Sequence, residues 1–126
     1  MKKHYLSALL LTLTTTLFAQ ETGASLTDST CSTCHLFSSN SNKLTDGKMG
    51  GPPMWGILKK IRNKYPDKAS QIAFIADYAM HPSEEKMLFP AATREYFGVM
   101  PSMKDRVNEQ QIQQIAKFLA EYQAVK

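Results

Sequence analysis

The chain has two cysteines, and both fall in one five-residue stretch, Cys31-Ser32-Thr33-Cys34-His35. On a helical turn, residues three apart share one face. Both thiols can then add to the two vinyl groups of a single haem, while His35, next in line, reaches the iron as an axial ligand. Other chemistries use the same spacing. A structural disulfide within one turn is sterically awkward, and one pair is a poor framework for a chain of this length. A thioredoxin-like redox pair sits in a βαβ pattern, and no alternating or β-branched run flanks this one. Zinc has Cys31, Cys34, His35 and His81 to draw on, yet ligation by the adjacent Cys34 and His35 would strain a tetrahedral site. The motif therefore predicts one covalently bound c-type haem.

The amino terminus bears on where such chemistry takes place. Lys2 and Lys3 precede an apolar stretch from Tyr5 to Phe18 with six leucines, and the small residue Ala19 follows. This is the pattern of a secretory signal peptide over residues 1–19, with a cut after Ala24 as the fallback. Thr12, Thr14, Thr15 and Thr16 interrupt the leucines, and the stretch is short of the roughly 20 apolar residues a spanning helix needs. Cleavage after Ala19 leaves 107 residues, enough for one domain over 20–126. A domain of that size buries a modest fraction of its surface, so an enclosed cofactor would supply much of its core. Lys2 and Lys3 leave with the leader, so 13 basic residues face 11 acidic ones and basicity gives no reason to expect nucleic acid. In an oxidising compartment two free thiols would pair unless another bond consumes them, as thioethers to haem do.

The remainder reads as helices joined by loops. Residues 20–26 are small and polar, and suggest a short mobile arm. Thr27 or Asp28 is the expected N-cap of a helix that carries the motif to about Phe37. The turn formers Ser38-Ser39-Asn40-Ser41-Asn42 predict a surface loop. Residues Gly47 to Gly56 hold four glycines and two prolines, too many for regular structure. The stretch reads either as an ordinary loop or as one whose carbonyl accepts the Nδ1 proton of an iron-bound His35. Trp55 is expected in the core, beside the cofactor. The segment from Ile57 to Lys64 mixes apolar residues with Lys59, Lys60, Arg62 and Lys64, a solvated face or a docking site.

Pro66-Asp67 opens a helix to about Met80, with Ile72, Phe74, Ile75, Tyr78 and Ala79 buried and Ser70 and Asp77 on a wet stripe. His81-Pro82 stops it. Ser83 to Lys86 suit one short helical turn, and 91–99 are expected to be mostly irregular. Asn108 followed by Gln111 is a capping-box start for a last helix with Ile112, Ile115, Phe118, Leu119 and Tyr122 on one face. Nothing reads as a strand.

Three short motifs in this order, Cys31 to His35, Gly51-Pro52 and Met100-Pro101, make the sequence resemble the class I, monohaem cytochrome c family across essentially the whole mature chain. The resemblance implies an all-α fold of three to five helices wrapped around one haem. It implies that Cys31 and Cys34 bind the haem covalently, that His35 ligates its iron, and that the Pro52 carbonyl holds the histidine. It assigns the sixth ligand to Met100, in preference to Met103, three residues on, and to His81, which would make a bis-histidine haem. The chain departs from the family at one point. Where members often carry an arginine eight residues after the loop proline, to hold a haem propionate, this sequence has Lys60, with Arg62 as the nearest substitute.

Histidine and methionine ligation favours outer-sphere electron transfer over substrate binding. No second haem motif, spare cysteine or acid–base constellation is visible in the sequence. The expected function is a periplasmic electron carrier, not an enzyme, working with redox partner proteins and without stable membrane insertion. Two alternatives share most of these features: a cytochrome subunit of a periplasmic oxidoreductase complex, and a haem protein that binds a gas or other small ligand.

Overall fold

The computed structural model describes residues 21–38 and 49–123. The leader expected over 1–19 and all but Ser38 of the serine- and asparagine-rich loop lie outside them. The described chain is all helical, with α1 over Gly23–Thr30, α2 over Met54–Lys64, α3 over Lys68–Met80, a single 3-10 turn over Glu84–Lys86, α4 over Ala91–Phe97 and α5 over Glu109–Glu121. No strand occurs among the described residues.

Helix α5 is the spine of the fold. Asn108 accepts from the Gln111 N–H at 2.9 Å while the Gln111 side chain accepts from the Asn108 N–H at 2.9 Å, so the capping box satisfies two donors that a helix start leaves open. Ile112, Ile115, Ala116, Leu119 and Ala120 are buried on one face, and α1 and α3 both pack there. At the other end, the Arg62 guanidinium donates to the Tyr122 carbonyl at 2.5 Å, and the Lys68 ammonium donates to the Ala120 carbonyl. Two cations thus meet the negative end of the helix dipole.

Helix α1 differs from the expectation. It begins at Gly23, where a mobile arm was expected, and it ends at Thr30, before the motif. Thr22 supplies the cap, accepting from the Ser25 N–H at 3.2 Å. The small residues at its start are there for contact: a Cβ on Gly23 would stand 2.5 Å from the Gln114 carbonyl oxygen and 3.0 Å from Phe118 Cβ. Leu26, one turn on, is in the core. Chain direction continues past Thr30 through hydrogen-bonded turns, with the Cys34 and His35 N–H groups both donating to the Cys31 carbonyl, at 3.2 and 3.0 Å.

Helix α2 starts inside the glycine- and proline-rich stretch, because Pro53 needs no N–H at a helix start and Met54 has a core site to fill. Leu58 and Ile61 follow it inward, while Lys59, Lys60, Asn63 and Lys64 are exposed. Helix α3 is capped by Asp67, whose carboxylate accepts from the Ser70 N–H at 2.8 Å. The buried Gln71 amide donates to the Tyr65 carbonyl at 2.8 Å and ties α3 to the end of α2. Residues 91–99 are not irregular as expected. Pro90 precedes a seven-residue helix, and Gly98, at φ 72°, ends it. No residue of α4 is buried, so no apolar periodicity announces it.

Candidate functional site

The stretch Gly50 to Met54 is clasped against the Cys31–His35 turns. The Gly51 N–H donates to the Cys34 carbonyl at 3.1 Å and the Met54 N–H to the Leu36 carbonyl at 2.8 Å. Between these two bonds the His35 Nδ1 lies 2.7 Å from the Pro52 carbonyl oxygen. A carbonyl can only accept, so Nδ1 carries the proton and Nε2 keeps its lone pair. Both glycines are pressed against the motif: a Cβ on Gly50 would stand 3.1 Å from the Cys34 Sγ, and one on Gly51 would stand 2.4 Å from His35 Cε1. Burial pushes the imidazole below its ordinary pKa, with the Pro52 hydrogen bond acting in the opposite direction. The ring is therefore neutral near pH 7, the form in which it can donate a lone pair.

His35 lines a cavity of about 250 Å³ together with Cys31 and Cys34. Helix α2 contributes Met54, Ile57, Leu58 and Ile61; α3 contributes Phe74, Ile75, Tyr78 and Ala79; α5 contributes Ile112, Ile115 and Leu119. Several α3 residues expected to be buried, among them Phe74, Tyr78 and Ala79, are half-buried and line this cavity. Cys31 is packed against the core and Cys34 is exposed, and neither forms a disulfide. Burial, and then the neighbouring Cys34, push the Cys31 thiol up to about 11, so it is protonated and uncharged at neutral pH.

The remaining wall is the segment from Met87 to Met103, including Phe89, Phe97, Met100 and Pro101. Both its ends are fastened to the last turn of α3. At one end, the Lys86 ammonium lies 2.7 Å from Asp77 Oδ2 and donates to the His81 carbonyl at 3.0 Å. At the other, the Ser102 hydroxyl donates to the Met80 carbonyl at 2.7 Å and the Met103 N–H to the Ala79 carbonyl at 2.9 Å. Burial raises the Tyr78 phenol's pKa, against a lowering hydrogen bond with the Met100 backbone.

The structure thus gathers Cys31, Cys34, His35, Pro52, Met100 and Met103 around one cavity. It does not bring in His81, which is exposed beside Asp77 at 3.4 Å. Among the described residues no three of His, Cys, Asp and Glu gather to hold a metal ion, so the zinc arrangement does not assemble. Trp55 does not line the cavity, and neither does Lys60 or Arg62. What the sequence pattern missed is the inner face of α2, signalled by Ile57, Leu58 and Ile61 at helical spacing, and two cations in the lining, Lys86 and Arg106. Nothing local in the sequence marks Arg106.

Comparison with known proteins adds one relative. An uncharacterised protein of Aquifex aeolicus (strain VF5) is 26% identical over 99 residues, a match covering 71% of this chain and 65% of that protein. The chain thus spans just under two-thirds of the relative's length. No family model and no solved structure matches.

Proposed function

We propose that this protein is an exported electron carrier that binds one haem through thioethers to Cys31 and Cys34, with His35 and Met100 as axial ligands. The observation that carries this is the donor set of one apolar cavity: two thiols, an imidazole whose Nδ1 proton is held by the Pro52 carbonyl at 2.7 Å, and four methionine thioethers, Met100 among them. These residues fit a c-type haem in type and in sequence order.

Each supporting group has a definable part. The Pro52 carbonyl fixes the ring and its tautomer and makes Nε2 more basic. Gly50 and Gly51 let the backbone approach the motif closely enough for that bond. Apolar walls from α2, α3 and α5 keep water from the centre, and Ser102 and Met103 hold the methionine segment to α3. When bound, a haem with histidine and methionine ligands supplies reversible one-electron chemistry at iron. Among the described residues no Asp or Glu lines the cavity. No helix among the described residues is long and apolar enough to cross a membrane.

Expression with its leader, in a host that matures c-type cytochromes, tests the proposal. Haem staining after denaturing electrophoresis and a pyridine-haemochrome spectrum should show covalent haem in the periplasmic fraction, and the double variant Cys31→Ala, Cys34→Ala should lose it. Colourless native protein would refute the proposal.

A further inference from the structure

The wall that carries Met100 is fastened by different chemistry at its two ends. At the far end the fastenings are hydrogen bonds to the last turn of α3, whose final carbonyls have no partner within the helix. The Met103 N–H takes the Ala79 carbonyl at 2.9 Å, and the Ser102 hydroxyl takes the Met80 carbonyl at 2.7 Å. A hydrogen bond between Tyr78 and the Met100 backbone makes a third. No charged side chain takes part in these three.

The near end depends on charge. The Lys86 ammonium lies 2.7 Å from Asp77 Oδ2 and donates to the His81 carbonyl at 3.0 Å, while the His81 ring stands 3.4 Å from the other Asp77 oxygen. The pair is open to solvent, with 37% of the Lys86 side chain and 54% of the Asp77 side chain exposed. Its hydrogen bond with Lys86 holds the Asp77 carboxyl below its ordinary pKa, so it is ionised at neutral pH. Salt weakens an exposed ion pair far more than a neutral hydrogen bond.

Between the two ends lies a stretch with little to keep it in place. Helix α4 has no buried residue. Gly98 ends it at φ 72°, and no atom lies within 4 Å of where its Cβ would stand. A glycine in open space can change its dihedral angles without meeting a neighbour, as a hinge requires.

We infer that residues 87–97 form a lid on the cavity, hinged at Gly98 and latched by the Asp77–Lys86 pair, which swings out while Met100 stays seated on α3. Opening uncovers the side of the cavity lined by Phe89 and Phe97. Asp77 does not itself line the cavity; it positions the lid through Lys86. The latch follows from the fold alone, and only its separation from iron ligation rests on the haem reading above.

Hydrogen exchange of the full-length protein, read by mass spectrometry at about 0.01 M and about 0.5 M sodium chloride, tests the latch. Exchange in peptides spanning 87–97 should quicken with salt. Asp77→Asn should quicken it about two- to five-fold at low salt and abolish the salt dependence. Lys86→Gln should do the same, and the double variant should be no faster than either, because both act through one contact. In haem-loaded protein, Asp77→Asn should bind cyanide at the native rate, whereas Ser102→Ala should bind it faster. Native exchange in Asp77→Asn would overturn the latch. Faster cyanide binding by Asp77→Asn would show Met100 leaving with the lid and overturn the hinge at Gly98. Native protein without covalent haem, seen by staining, would remove the haem reading and leave the exchange result to decide the latch.

Discussion

A Cβ on residue 51 would stand 2.4 Å from Cε1 and 2.9 Å from Nδ1 of His35, so Gly51 lies flat against the imidazole. The ring has little room to give, because its Nδ1 is tied to the Pro52 carbonyl. Gly51→Ala should therefore cost about 1 to 3 kcal/mol through overpacking and change the haem absorption spectrum by tilting the histidine. Gly50→Ala meets Cys34 at 3.1 Å and should cost less, with the spectrum preserved. Thermal unfolding and absorption spectra of the two variants decide this, and equal effects would contradict the asymmetry.

Met100 and Met103 share the cavity wall, but Met103 also packs on the core. Met100→Ala should remove the methionine-to-iron charge-transfer band of the oxidised protein and admit exogenous ligands such as cyanide. Met103→Ala should keep the band and lose about 1 to 3 kcal/mol of stability. Loss of the band in the second variant alone would reassign the ligand to Met103.

Ser102 fastens one end of the methionine segment to α3 through a 2.7 Å bond to the Met80 carbonyl. Ser102→Ala should cost about 0.5 to 1.5 kcal/mol. Because the rest of that segment has no buried residue between Met87 and Ser102, the loss should appear as faster displacement of the methionine by cyanide in stopped-flow mixing. An unchanged displacement rate would show that the latch does not control opening.

Asp67 caps α3, and its hydrogen bonds with Ser70 lower its carboxyl pKa below the ordinary 3.8. A carboxylate with a depressed folded-state pKa stabilises the fold above its unfolded value and loses that contribution as pH falls through the folded one. Asp67→Ala should lower the melting temperature at pH 6, and the gap from the native protein should close below about pH 3.8 as the carboxyl takes up its proton. A gap that persists unchanged in acid would assign the effect to packing.

What is legible in the sequence is what local chemistry determines. The Asn108–Gln111 box and the Asp67 cap act within one turn, so α5 and the start of α3 are where they are expected. Pro52 lies 17 residues from His35, beyond the reach of local patterns, and its pairing with the histidine is expected only from the family resemblance. Helix α4 is not legible, since none of its residues is buried to leave a period. Nor is the start of α1, whose small polar residues look like a tail until Gly23 is seen against the backbone of α5. Arg106 is the furthest from view: its place in the cavity lining depends on the turn after Met103.

If the chain is exported as proposed, the seat of Gly23 on α5 ties leader cleavage to folding. Two leader cuts fit the sequence, after Ala19 and after Ala24. The inner cut would discard the Thr22 cap and the glycine whose missing side chain admits the Gln114 carbonyl, leaving α1 to begin at Ser25 with a charged amino terminus one residue before the buried Leu26. The outer cut keeps both. On that reading, a protease that trimmed five residues too far would release a chain of nearly the same mass with the first helix unseated from the last, and the proposed targeting signal would have to stop short of the residues that begin the fold.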